Sequence, residues 1–88
     1  MKINVKLFAN FREVTRTKDV SLEVRGETVR DAIDALVSAH PGLGPLMLHD
    51  GKVKPYVNVL LNGQTVKDTS AQIKENDELA LFPPVSGG

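Results

Sequence analysis

Near the start of the chain, Ile3, Val5 and Leu7 alternate with Lys2, Asn4 and Lys6. Successive side chains of an extended chain point to opposite faces, so this period of two predicts a strand with one face buried. Val20, Leu22 and Val24 repeat the pattern against Ser21, Glu23 and Arg25, with a predicted helical turn at 10–15 between the two strands. The period then changes. Val29, Ile33, Leu36 and Val37 fall on one face at helical spacing, and Ala32 and Ala35 favour a helix intrinsically. Thr28 reads as the N-cap, with Asp31 three residues on in a variant of the capping box, and Pro41-Gly42 ends the helix. Residues 43–54 show no period, only turn signals at Gly44-Pro45 and Asp50-Gly51. Tyr56 to Leu61 reads as a strand, Asn62-Gly63 as a hairpin turn and Gln64 to Val66 as the returning strand. After a polar connection at 68–77, Glu78 to Phe82 forms the last strand, closed by Pro83-Pro84.

The order β-β-α-β-β-β predicts an α+β fold: a mixed sheet of four to five strands with one main helix across one face, the arrangement called β-grasp. A different α+β sheet with one helix is the alternative. The expected organisation is one domain over residues 1–82 and a flexible tail over residues 83–88. The alternation also assigns side chains to faces. If Ile3, Val5, Leu7, Val57, Val59, Leu61, Leu79 and Leu81 meet the helix, then Phe8, Leu60 and Phe82 share the open face near the tail. An exposed apolar patch of this kind suggests a protein partner.

Composition narrows the chemistry. The 88 residues suit a single core, with little room for a deep catalytic pocket. Eleven basic residues balance eleven acidic ones, which leaves no electrostatic footprint for nucleic acid or an anionic membrane. With no cysteine, the chain has no disulfide, thiolate metal site or cysteine nucleophile of its own. Nothing is long and apolar enough to span a bilayer, and the N-terminus lacks a signal-peptide core, so a cytoplasmic location is expected. His40 and His49 lack partners at metal-ligand spacing, and Asp34 and Glu13 read as solvated charges. Lys52 and Lys54 form a basic pair too small for nucleic-acid binding, and Gly42-Leu43-Gly44 follows a helix where a phosphate loop would precede one. No metal site is expected.

The most informative segment is Pro83-Pro84-Val85-Ser86-Gly87-Gly88. Two prolines fix φ and favour an extended chain. The side chains then shrink away. Gly87 and Gly88 lack Cβ, which lets them thread a narrow channel and approach another backbone closely. The sequence ends in a carboxylate, a poor electrophile that ATP converts into a reactive acyl-adenylate. Slim terminal residues on an extended leash are what an adenylating enzyme needs to admit that carboxylate. The plainer reading is that glycines collect at disordered termini; the prolines and the compact domain before them favour the reactive tail.

The stretch from Asp77 to Gly88 resembles the C-terminus of the small subunit of molybdopterin synthase, and is at least as similar to the small archaeal modifier proteins. Lys6 to Glu13, Thr28 to Ala32, Ala39-His40-Pro41 and Val57 to Gly63 extend the resemblance along almost the whole chain. It implies a β-grasp fold and adenylation of Gly88 by a ubiquitin-activating-type enzyme, with Pro83, Pro84, Val85, Ser86 and Gly87 as the recognised tail. The product is a thiocarboxylate that donates sulfur, for molybdopterin biosynthesis or tRNA thiolation, or an isopeptide bond to lysines of target proteins. The implied partners are the activating enzyme, the large subunit of molybdopterin synthase, and target lysines. The chain itself is implied to bind no cofactor, ATP and Mg being used by the activating enzyme, and to be a carrier rather than an enzyme. A non-covalent β-grasp binding module stands as a third reading.

Overall fold

A computed structural model describes residues 1–83. Strand β1 (Lys2–Leu7) leads through helix α1 (Ala9–Thr15) into β2 (Asp19–Glu23), and α2 (Val29–Ala39) follows. A 3-10 turn (Pro41–Leu43) and the single-turn α3 (Gly44–Met47) connect to a small hairpin, β3 (Leu48–His49) and β4 (Lys52–Val53). Strands β5 (Asn58–Leu61), β6 (Gln64–Thr65) and β7 (Glu78–Phe82) complete the chain. The main sheet has five strands in the order β2-β1-β7-β5-β6, and β3 and β4 form a sheet of their own. The central β1 and β7 run parallel, while β1–β2, β5–β7 and β5–β6 are antiparallel. This is the mixed β-grasp sheet expected from the alternation, with α2 across one face.

The alternation becomes rows across the sheet. Val5 lies opposite Val20 on one side and Leu79 on the other, and Leu79 lies opposite Leu61. One register further on, Leu7, Leu81 and Val59 form a second inner row. Val29, Ala32, Ile33 and Leu36 of α2 cover these rows and are fully buried. Among the described residues the core contains no buried polar or charged side chain. The expected cap is present: Thr28 Oγ1 accepts from the Asp31 N–H at 3.1 Å, and Asp31 Oδ2 accepts from the Thr28 N–H at 3.1 Å. The same carboxylate takes the Glu27 N–H at 3.0 Å and the Thr28 hydroxyl at 2.9 Å. These hydrogen bonds to its charged form, Thr28's side chain first, hold the Asp31 pKa below the usual aspartate value.

Residues 43–54 are more ordered than their sequence suggests. Leu43 and Met47 are completely buried at a spacing of four, and they pull the turn and α3 against the core. Glycine and proline signals hide that spacing in the sequence. The Asp50-Gly51 turn, with φ of 52° and 75°, closes the β3–β4 hairpin. Asn62-Gly63, with φ of 50° and 85°, closes β5–β6 as expected. Both pairs have the doubly positive φ that two-residue hairpin loops favour. The strand read from Tyr56 begins at Asn58, because Pro55 and Tyr56 belong to the turn before it.

Candidate functional site

The open face of the sheet carries the outward residues of the central strands. β7 lies in the middle of the sheet, hydrogen-bonded on both sides by β1 and β5. Its start is held by Asn62, whose side chain accepts from the Glu78 N–H at 2.9 Å and donates to Asp77 Oδ1 at 3.0 Å. The Asn62 N–H donates to the Glu78 carbonyl at 2.8 Å. Asp77 Oδ2 in turn accepts the Lys74 N–H at 2.7 Å. A β-turn asparagine thus sets the register of the strand that carries the chain to Phe82.

At the other end of β7, Phe82 stacks on Phe8 with ring centroids 4.2 Å apart and planes 10° from parallel. Phe8 extends the parallel register of Leu7 and Leu81 by one residue, which is why the rings meet. Lys18 Nζ lies 5.8 Å from the centroid of the Phe8 ring, within cation–π range. Leu60 lies opposite Ala80, one diagonal step from Phe82, and the small alanine leaves the leucine and the rings on one surface. Lys6 and Glu78 border this surface with an ion pair at 3.4 Å.

Phe8, Leu60 and Phe82 are therefore brought together on the open face. Each is half-buried rather than exposed, and the two rings cover one another. The large apolar side chains that are most exposed, Tyr56 and Val14, lie elsewhere. Pro83 follows Phe82 directly. Pro84, Val85, Ser86, Gly87 and Gly88, the rest of the expected tail, lie outside the described residues. Among the described residues no group of His, Asp and Glu side chains is arranged to hold a metal, and no helix is long and apolar enough to cross a membrane.

The family model of the ThiS family matches residues 5–88, nearly the whole chain. The chain belongs to the ThiS family. A relative of this ThiS-family chain, small archaeal modifier protein 1 of Haloferax volcanii, is 48% identical over 85 residues, covering 94% of this chain and 97% of the relative. The crystal structure of SAMP1 from Haloferax volcanii superimposes with a TM-score of 0.90, at 44% identity and full coverage of both chains. A molybdopterin synthase sulfur carrier subunit of Arabidopsis thaliana is 37% identical, covering 100% of this chain and 84% of the relative. The Amycolatopsis orientalis BexX/CysO complex contains a chain 30% identical with a TM-score of 0.82, covering 98% of this chain and 99% of that one. The ThiS-family fold is thus the ubiquitin-like β-grasp, and the related Amycolatopsis orientalis chain was solved in a BexX/CysO complex.

Proposed function

We infer that this chain is a ubiquitin-like sulfur carrier working through residues 83–88 as its tail, with the Gly88 carboxylate as the reactive group. The observation that carries this is positional. The central strand of a β-grasp sheet delivers the chain, at Phe82, directly into Pro-Pro-Val-Ser-Gly-Gly. A ubiquitin-activating-type enzyme with ATP and Mg joins the carboxylate to the α-phosphate, releasing pyrophosphate. A hydrosulfide-level nucleophile then expels AMP and leaves the thiocarboxylate, whose sulfur passes to molybdopterin precursor or a tRNA base. The chain is the carried acyl group, and catalysis belongs to its partners, the activating enzyme and a large molybdopterin-synthase-type subunit. The half-buried Phe8, Leu60 and Phe82 surface, at the root of the tail, is where those partners dock.

A second reading has one observation in its favour: the relative at 48% identity is named a modifier protein. In it, the amine of a target lysine expels AMP from the same adenylate and forms an isopeptide bond. Intact-mass analysis of the protein from its own cells separates the two. The carrier shows the mass change of one oxygen replaced by sulfur; the modifier shows a ladder of heavier conjugates. A single unmodified mass under conditions that demand sulfur transfer leaves neither reading standing.

A further inference from the structure

We propose that a basic groove at the β6 end of the molecule binds an extended acidic segment of a partner protein. The groove, of about 620 Å³, lies between β4, β5, β6 and the start of α2. Four cations line it: Arg30, Lys52, Lys54 and Lys67. On a chain whose charges balance, these are four of eleven basic residues, and the lining includes none of the eleven acidic ones. Two carboxylates near these cations in sequence, Asp68 and Asp34, are engaged elsewhere or incompletely, and Asp31, beside Arg30, is taken up by the α2 cap. Asp68, next to Lys67, accepts the Ser70 N–H at 2.9 Å and the Ser70 hydroxyl at 2.7 Å. Those bonds lower its pKa and keep it charged but turned to its own loop. Asp34 takes only Nε of Arg30, at 2.9 Å, so the terminal guanidinium nitrogens are not spent on that pair.

Two of the cations are held in place before any ligand arrives. Arg30 is braced by Asp34 one helical turn away. Lys54 Nζ donates to the Pro45 carbonyl at 2.6 Å and sits 5.7 Å from the centroid of the Tyr56 ring, which leaves it two further N–H donors. Pre-positioned donors lose less freedom on binding than mobile ones. Lys52 and Lys67 are exposed and add charge at the rim. The floor is aliphatic: Val53, Val57, Val59 and Val66.

Shape and chemistry together select the occupant. Small-molecule sites bury most of the ligand and are lined mainly by apolar side chains with few polar groups, whereas this groove is half open to solvent and carries four cations. An extended peptide presents alternate side chains to opposite sides, so carboxylates meet the cations while aliphatic groups meet the valines. The groove also adjoins the proposed tail root, since its Asn58 lies opposite Phe82 in the β5–β7 ladder. That the same protein both fills the groove and receives the tail rests on the proposed function; binding of an acidic segment does not.

The test is an amide NMR titration of the full chain with a short blocked peptide alternating glutamate and valine. Shifts are expected at Arg30 and across 52–59 and 65–69, weakening as salt is raised. Changing both Lys52→Gln and Lys67→Gln, exposed positions whose loss leaves the fold intact, should weaken binding about fivefold to tenfold. Equal binding of the glutamine–valine analogue, or shifts confined to the Phe8–Phe82 face, overturns the proposal. So does inorganic pyrophosphate displacing the peptide at lower concentration, which would make the groove a small-anion site. Peptide binding by a full chain whose Gly88 the activating enzyme does not adenylate would count against the proposed function alone.

Discussion

At the scale of single residues, Phe82 bears the most interpretive weight. It ends the central strand, stacks on Phe8 and precedes the tail. An aromatic pair contributes about 0.5–1.5 kcal/mol beyond its buried area, whereas removing a central interface aromatic often costs about 2 kcal/mol or more. Phe82→Ala is therefore expected to weaken binding to the activating enzyme more than it weakens folding. Titration calorimetry paired with urea unfolding measures both; a large loss of stability with unchanged affinity would make the stack structural. This face was legible in the sequence because a period of two assigns every strand residue to a side. The half-burial of its members was not legible, because alternation gives direction but not which rings cover each other. The groove was hidden for a different reason. Lys52 and Lys54 are visible as a pair, but Arg30 and Lys67 reach them only through folding, from positions 22 residues before Lys52 and 13 after Lys54 by their numbering.

Among the elements, α2 is the one whose boundaries the sequence states most directly. Thr28 and Asp31 exchange hydrogen bonds across the first turn. Thr28→Ala is expected to cost about 1 kcal/mol of stability, measured by urea unfolding; no loss would show that the cap is redundant. A Cβ on Gly26 would fall 2.6 Å from the Asp31 Cβ, so Gly26→Ala should displace the same carboxylate and destabilise in the same direction. The cap also sets a pH dependence. The Asp31 pKa is lower folded than unfolded, so its contribution is complete above the ordinary aspartate range, about 3.9, and is lost as pH falls through the lowered folded value. Unfolding measured from neutral to acidic pH should show the native chain losing stability more steeply than Asp31→Asn below that range. Parallel curves would show that Asp31 makes no contribution to the pH dependence of stability. The 43–54 stretch shows the converse case. Its two buried anchors, Leu43 and Met47, sit among glycine and proline, and its strands are two residues long, too short for any period to appear.

At the scale of the whole molecule, the domain is a platform that presents one end of its central strand. The apolar stack lies at the strand's exit and the basic groove beside it. In the proposed function, the reactive group at the end of that strand's tail is the Gly88 carboxylate. Gly87 and Gly88 have no side chains to bury, so deleting both should change stability by no more than about 0.5 kcal/mol. The shortened chain nevertheless ends about 7 Å earlier when extended, and misplacement of even about 1 Å costs roughly a hundredfold in rate. The most direct measurement is ATP–pyrophosphate exchange by the activating enzyme, with the full chain and with the chain lacking Gly87 and Gly88 compared at equal concentration. Exchange is expected with the full chain and is expected to fall by orders of magnitude with the truncated one. Equal exchange rates for the two would contradict the proposed role of the Gly88 carboxylate.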